Sequence, residues 1–364
     1  MHIAIIQRIM GQFLMLFSIT LLPPVVIDLM YGEDAAHTFF YSYLFLLSIG
    51  FLLFLPVRNR KEDLRLRDGF VVVFLFWLVL GVAGAIPLYL YEKLDISMVD
   101  ALFESISGLT TTGATVLVGL DSMPHSILFY RQELQWLGGM GIIVLALAVM
   151  PMLGIGGMQL YKAEAPGPIK DNKLTPRIAE TAKTLWYIYL GLTVACALAY
   201  WLAGMNLFDA ITHSFSTVAI GGFSTHDASI GYFDSQAIEM VAIFFMFLGA
   251  INFALHFSVV RSRSLLPYLK DAEFKLYASL LIIISLFTVY TLYSQSVYDD
   301  FSEALRNALF QTVSIATTSG FVTADYAHWP AFIPVLLLFA SFVGGCAGST
   351  GGGIKVIRVL LLSL

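Results

Sequence analysis

The sequence has few charged side chains and few cysteines. Only 12% of its 364 residues are Asp, Glu, Lys or Arg, about half the share found in soluble domains. The two cysteines, Cys196 and Cys346, lie in separate apolar segments without a CxxC partner, which excludes a disulfide framework and a cysteine-based metal motif. Hydrophobic residues make up 58% of the chain, so the composition indicates a polytopic helical membrane protein rather than a soluble one.

Eight apolar runs are long enough to cross the ~30 Å hydrocarbon core of a bilayer as helices. The predicted spans are Ile3–Val26, Thr38–Leu55, Gly69–Tyr89, Leu128–Leu153, Ala182–Ala203, Ala237–Val259, Lys275–Tyr293 and Ala331–Leu364. The first run is too long for the apolar region of a signal peptide and has no small-x-small cleavage site, so it is expected to be a retained helix.

The basic residues are distributed unevenly between the segments that connect these spans. Seventeen of the 20 Lys and Arg fall on one predicted side, and Lys93, Arg131 and Arg306 fall on the other. Because cytoplasmic loops carry an excess of Lys and Arg, this asymmetry predicts that both termini of the chain are cytoplasmic.

Three segments, each between a pair of spans, share a pattern of fifteen residues. Residues 100–114 read DALFESISGLTTTGA, 209–223 read DAITHSFSTVAIGGF, and 307–321 read NALFQTVSIATTSGF. Ala at the second place, Ser at the eighth and Gly at the fourteenth are common to all three, and the glycines are Gly113, Gly222 and Gly320. Such internal repetition predicts three equivalent structural units.

Each unit is predicted to contain a short helix and a non-helical return. About ten helical residues span only ~15 Å, half a bilayer. Capping-type starts at Ser97, Asn206 and Asp300, each followed three residues later by an acid, suit a helix that begins outside and ends near the membrane centre. The negative carboxyl end of such a helix stabilises a cation there.

The return past each glycine is predicted to form a selectivity filter. Glycine permits positive φ, so that consecutive carbonyls can face one axis and replace the hydration shell of an ion, as in a potassium filter. The predicted ligands are the backbone carbonyls of Thr111, Thr112, Ile220, Gly221, Thr318 and Ser319. A single glycine would more often serve a turn or helix packing, but three in register favour the filter.

The last apolar run, Ala331–Leu364, is too long for one spanning helix. Its 34 residues would extend ~51 Å as a helix, which tilt alone does not absorb. The glycine-rich part of this run is a poor helix former, so we expect an unwound loop at membrane depth that acts as a gate; close packing of small residues between helices is the alternative. The predicted gate residues are Gly344, Gly345, Gly348, Ser349, Thr350, Gly351, Gly352 and Gly353.

These motifs resemble the Trk/Ktr/HKT superfamily of potassium transporters, and within it the TrkH family. The resemblance rests on TTTGATVLVGLD (110–121), QWLGGMGIIVL (135–145), STVAIGGFSTHDAS (216–229), TTSGF (317–321) and GGCAGSTGGGIKVIR (344–358). It implies a filter glycine in each pore loop, an intramembrane loop at the glycine-rich segment, and potassium as the transported ion without an organic cofactor. Serine at the first filter position accompanies sodium preference in plant relatives, so Gly113 favours potassium.

The resemblance also implies the setting of the chain. It suggests a homodimer in the bacterial inner membrane, in contact with lipid and with a cytoplasmic nucleotide-binding regulator of the TrkA type, and no nucleic acid as a partner. The expected architecture is all-α, with a two-helix extension (1–62) and pore repeats at 63–175, 176–268 and 269–364. The family has four repeats, and a fourth glycine would fall beyond Leu364, so we expect a fragment or another source for the missing quarter.

Two other functions are less consistent with the sequence. An intramembrane serine protease could use Ser214 with His213, His226 or His256, but no G-x-S-G motif is present. A secondary transporter with inverted repeats would have alternate units of opposite topology, whereas these three units are predicted to enter from the same side. The sequence does not distinguish channel conduction from proton or sodium symport.

Overall fold

A computed structural model of the chain describes residues 2–60, 66–141, 175–330 and 332–362. These residues form helices joined by turns and loops, and no strand occurs among them. They divide into two compact units, the first drawn from 1–110 and 114–186 and the second from 111–113 and 187–364. The predicted all-α architecture is confirmed.

Up to residue 141, the described part of the first unit has six helices, in which α1 packs on α3 and α4, α4 packs on α5, and α6 packs on α2 and α5. They are α1 (Ile3–Ile19), α2 (Leu22–Tyr31), α3 (Ala36–Phe54), α4 (Leu66–Leu90), α5 (Met98–Leu109) and α6 (His125–Gly139). Helices α1 and α3 approach closely at Gly11 and Gly50, where a Cβ on Gly11 would lie 2.7 Å from the carbonyl oxygen of Gly50. Small residues at such crossings are typical of helix pairs in membranes.

Helix α7 (Thr175–Leu202) contributes its first part to the first unit and the rest, from residue 187, to the second unit. The other helices of the second unit are α8 (Leu207–Ala219), α9 (Gln236–Gly249), α10 (Phe253–Ser262), α11 (Leu266–Lys270), α12 (Ala272–Ser294), α13 (Phe301–Ala316), α14 (Ile333–Val343) and α15 (Val356–Leu362). Helix α13 packs against α9, α12 and α14, while α12 also contacts α15. The short helix α8 packs against α9, so both α8 and α13 are held by neighbouring helices of this unit.

Five stretches of the described chain are long and apolar enough to cross a membrane, and they match five of the eight predicted spans. They are Ile3–Tyr31, Ala36–Val57, Arg67–Leu90, Lys183–Leu202 and Ala272–Ser294. The predicted span Leu128–Leu153 starts within α6, but its residues from 142 onwards lie outside the described residues. Helices long and apolar enough to span a membrane therefore occur at five of the predicted positions.

The predicted span Ala237–Val259 is wrong as a single straight helix. It is broken into α9 and α10, whose axes differ by 97°. Asn252 begins α10 by accepting a hydrogen bond from the Ala254 amide on its Oδ1 at 2.8 Å. Backbone groups freed by such a break must find partners when water is absent, and here a distant loop supplies them, which hydropathy cannot reveal.

Candidate ion pathway

The first part of each repeated pattern forms a short helix: α5, α8 or α13. These have 12, 13 and 16 residues, somewhat longer than the sequence predicts. Ser97 and Asp100 form a reciprocal capping box at α5, and Asn206 accepts from the Asp209 amide at 2.8 Å at α8. The capping prediction for Asp300 is wrong, because its side chain makes no such bond at α13.

Three glycine segments, residues 111–113, 220–222 and 318–320, follow these helices and share one backbone conformation. The first residue and the glycine of each segment have positive φ, whereas the residue between them does not. The angles are 54°, 55° and 71° at Thr111, Ile220 and Thr318, and 76°, 81° and 83° at Gly113, Gly222 and Gly320. Glycine adopts such angles without steric cost, but a β-branched residue does so only under constraint.

The glycine segments lie edge to edge. A Cβ built on Gly113 would lie 2.0 Å from the carbonyl oxygen of Gly221, and one built on Gly222 would lie 2.0 Å from that of Ser319. In both pairs, the carbonyl of the residue just before one glycine faces the glycine of the segment that comes earlier in the chain. At Gly320 no atom of the described residues comes within 4 Å of the equivalent position, so this side of the arrangement is open.

A serine occupies the eighth place of all three patterns. In two of the repeats, its hydroxyl bonds the short helix to the residue just after the glycine. Ser107 Oγ donates to the carbonyl of Ala114 at 2.6 Å, and Ser314 Oγ donates to that of Phe321 at 2.7 Å. Ser216, the third member, is buried with no hydrogen-bond partner among the described residues. Sequence reasoning found this serine but assigned it no role, although its recurrence at a fixed distance from the glycine was a usable signal.

In the first repeat, a buried ion pair holds the outgoing segment, which is the non-helical chain that follows the glycine segment. Glu104 and Arg131 are both fully buried, and Arg131 Nε donates to Glu104 Oε1 at 2.7 Å. The same carboxylate accepts from the hydroxyl of Thr115 at 2.9 Å and from the Val116 amide at 3.2 Å. Arg131, one of the three basic residues predicted on the side of the membrane opposite the cytoplasm, thus pairs with the fifth residue of the repeated pattern.

Neutral side chains occupy the same place in the other two repeats. His213 Nδ1 donates to the carbonyl of Asp209 at 2.9 Å, which leaves Nε2 of the neutral ring to accept from Ser224 Oγ at 2.9 Å. Gln311, with its amide oxygen turned to the outgoing segment, accepts from the Thr323 amide at 2.8 Å. All three repeats therefore bind the outgoing segment through their fifth residue, which is a carboxylate, an imidazole or an amide.

The geometry does not support the protease alternative. Ser214 Oγ donates to the carbonyl of Ile211 at 2.7 Å, and both ring nitrogens of the adjacent His213 are engaged by Asp209 and Ser224. Ser214 and His213 therefore do not form a nucleophile–base pair. Among the described residues, no cluster of three or more His, Cys, Asp or Glu could hold a metal ion.

The glycine-rich loop, residues 344–355, separates α14 from α15. Its two ends lie against each other: a Cβ on Gly344 would be 2.1 Å from the carbonyl oxygen of Gly352, and the Ile354 amide donates to the carbonyl of Phe342 at 2.8 Å. Of the predicted gate residues, Gly344, Gly345, Thr350 and Gly351 are buried, Ser349 is half-buried, and Gly348, Gly352 and Gly353 are exposed.

The tip of this loop docks on the carboxyl ends of neighbouring helices. Thr350 Oγ1 lies 2.8 Å from the carbonyl of Val218, at the end of α8, and 3.1 Å from that of Gly249, at the end of α9, and can donate to either. The Gly352 amide donates to Thr318 Oγ1 at 2.7 Å. The loop thus bonds directly to a side chain of the third glycine segment.

The same loop supplies the partners that the break between α9 and α10 requires. The Cys346 amide donates to the carbonyl of Ala250 at 2.8 Å, and the Phe253 amide donates to the carbonyl of Gly348 at 2.9 Å. The broken helix and the glycine-rich loop therefore satisfy each other's backbone groups.

Comparison with known proteins identifies the family. The family described as "TrkH: Cation transport protein" matches residues 35–364. The chain is 58% identical over 361 residues to the Trk system potassium uptake protein TrkH of Vibrio parahaemolyticus, covering 99% of this chain and 74% of that protein. It is 56% identical over 362 residues to the protein of the same name in Escherichia coli K12, covering all of this chain and 75% of the relative.

A solved structure agrees with these sequence matches. The crystal structure of the potassium transporter TrkH from Vibrio parahaemolyticus superimposes with a TM-score of 0.90 at 54% identity, over 100% of this chain and 75% of that one. The relatives are named as transport proteins and not as enzymes. This chain belongs to the TrkH family of cation transport proteins.

Proposed function

We propose that the chain takes up potassium across the bacterial cytoplasmic membrane, along an axis lined by main-chain carbonyls of the three glycine segments. The observation that carries this proposal is their mutual approach, in which the carbonyl oxygens of Gly221 and Ser319 face glycines of neighbouring segments. Carbonyl oxygens in rings replace water around potassium. The names of the TrkH relatives, which specify potassium uptake, support the same ion.

The proposed ligands are carbonyls and not side chains. A left-handed residue that alternates with other backbone conformations allows the carbonyls of successive peptide groups to face one side, which suits a row of cation sites. The carboxyl ends of α5, α8 and α13 precede these segments and add the negative end of each helix dipole. The ligands are then the carbonyls of Thr111, Thr112, Ile220, Gly221, Thr318 and Ser319.

We propose that the glycine-rich loop closes this path on the cytoplasmic side. Its tip is bonded to Thr318, Val218 and Gly249, so an ion leaving the glycine segments would meet the loop. The excess of basic residues on one predicted side supports a cytoplasmic location for both ends of this chain.

The wider assembly is part of the same proposal. The chain would act as the pore-forming subunit of a Trk-type system, as a homodimer with a TrkA-type regulator, with residues 1–62 preceding repeats at 63–175, 176–268 and 269–364. A fourth unit would complete the ring on the open side at Gly320, since carbonyls that face lipid would be costly.

Ion selectivity tests the proposal. Rubidium and sodium uptake would be measured in vesicles that contain the protein expressed from its natural gene, with and without Gly113→Ser. We expect the substitution to lower the ratio of rubidium to sodium uptake, because a side chain at Gly113 displaces the facing carbonyl of Gly221. Gly119→Ser is the matched control, as Gly119 has the same φ of 76° but its nearest neighbour, Ser122 Oγ, is 3.7 Å away. An unchanged ratio in Gly113→Ser, or an equal change in the control, would contradict the proposal.

A further inference from the structure

Glu273 is a buried carboxylate at the start of α12 whose role the proposed pathway does not explain. Only 7% of its surface is exposed. It does not cap its own helix, because Asp271 does so by accepting from the Phe274 amide at 2.7 Å. A buried charge is costly unless it is paired or hydrogen-bonded, so its partners indicate its purpose.

Two hydrogen bonds connect Glu273 to the glycine-rich loop and to the helix that follows it. Glu273 Oε1 accepts from the Ala347 amide at 2.7 Å and from the Ile357 amide at 3.0 Å. Ala347 lies within the loop, and Ile357 lies in the first turn of α15. One oxygen atom therefore ties both sides of the loop to the start of α12.

The other side-chain hydrogen bonds between the loop and its surroundings involve hydroxyl groups. Thr318 accepts from the Gly352 amide, and the loop's own Thr350 donates to main-chain carbonyls of α8 and α9. The amine of Lys355 bonds within the loop, to the carbonyl of Gly351. Hydrogen bonds to an ionised group are roughly twice as strong as neutral ones. The carboxylate of Glu273 is thus the strongest acceptor that holds the loop from outside it.

We propose that Glu273 is a positioning residue that keeps the glycine-rich loop closed, and that the ion path opens when its two hydrogen bonds break. This inference rests on the gating role given to the loop under the proposed function. Glu273 lies in the first turn of α12, directly after α11 and the cap residue Asp271. A movement of α11 would therefore displace the carboxylate of Glu273 before it displaced the rest of α12.

The two cysteines of the chain give a direct measurement of loop position. Cys346 lies in the loop and Cys196 in α7, and both are buried. The rate of modification by a small thiol reagent would be followed at each cysteine by peptide mass analysis. In Glu273→Ala we expect Cys346 to react at least about tenfold faster, because a hydrogen bond to a charged acceptor is worth more than a factor of ten in population. Cys196 should react as slowly as in the unaltered protein.

Glu273→Gln is the conservative variant, since its amide oxygen can still accept from both backbone amides. Because the amide is neutral, Cys346 is expected to react more slowly than in Glu273→Ala but faster than in the unaltered protein. Faster reaction at both cysteines would indicate a general loosening of the fold, and an unchanged rate at Cys346 would show that Glu273 does not hold the loop. Either result overturns the inference.

Rubidium uptake without any regulator separates this inference from the proposed function. Glu273→Ala should raise uptake about tenfold by the same factor, with an unchanged ratio of rubidium to sodium because the glycine segments are intact. Faster labelling of Cys346 without increased uptake would overturn the opening step. If the unaltered protein and both variants carried no rubidium under any condition, the proposed function would fail, whereas the labelling result would still decide whether Glu273 positions the loop.

Discussion

Gly222→Ala is the substitution whose effect follows most directly from the packing of the glycine segments. Gly222 has φ of +81°, and a Cβ at this position would lie 2.0 Å from the carbonyl oxygen of Ser319. Two costs arise: the left-handed backbone conformation and the overlap with a neighbouring main-chain atom. The second cost arises from the close approach of the second and third glycine segments.

The size of each cost can be separated with a control. A left-handed conformation costs a residue with a side chain about 1–2 kcal/mol. Real Cβ contacts essentially never fall below 3.0 Å, so the Ser319 carbonyl would have to move by about 1 Å, and such overpacking adds about 1–3 kcal/mol. Gly119→Ala carries the first cost alone, since φ is +76° and the nearest atom is 3.7 Å away. We therefore expect a loss of about 2–5 kcal/mol for Gly222→Ala and about 1–2 kcal/mol for Gly119→Ala.

Two measurements on the same preparations check this expectation. The free energy of unfolding would be measured by denaturant titration in detergent, and rubidium uptake would be measured in vesicles. Gly222→Ala should lose most uptake even at temperatures where it remains folded, while Gly119→Ala should transport normally. The reasoning would be refuted if Gly222→Ala transported like the unaltered protein, or if the two variants lost equal stability and equal uptake.

Two further predictions concern charged pairs. Arg131→Leu should lower the free energy of unfolding by about 3–5 kcal/mol, because Glu104 is left buried and unpaired. Lys93→Ala is the control: it removes the exposed ion pair of Lys93 with Asp34 and should leave the unfolding temperature unchanged, so equal shifts in the two variants would contradict this prediction. Arg306 donates to both carboxylate oxygens of the buried Glu239 at 2.6 Å, so Arg306→Lys should cost about 1–2 kcal/mol in a denaturant titration, and no measurable loss would show that the second bond is unimportant.

Hydropathy and the repeated pattern predict much of the fold, because both depend on local sequence. Apolar runs of sufficient length give the five long helices, and acids near Ser97 and Asn206 mark where two short helices begin. The left-handed conformation at Thr111, Ile220 and Thr318 could not be predicted, since β-branched residues disfavour it. It exists because the surrounding chain imposes it.

Long-range partners account for the features that the sequence does not predict. The apolar run through Gly249 and Asn252 continues without interruption, and the 97° break depends on amides about 100 residues later in the chain. Likewise, no local pattern connects Glu273 with Ala347. Both features involve a loop whose composition predicts that it is not helical, but whose docking site depends on the folded protein.

The fifth position of the repeated pattern explains why the three repeats can differ so much in sequence. If main-chain carbonyls bind the ion, the side chains of the repeats matter only because they position those carbonyls. The carboxylate of Glu104, the neutral imidazole of His213 and the amide of Gln311 each provide a hydrogen-bond acceptor for the outgoing segment. The carboxylate alone brings a charge, and therefore it alone needs a second buried residue to offset the cost. Glu104 and Arg131 must then vary together, whereas His213 and Gln311 are free of that constraint.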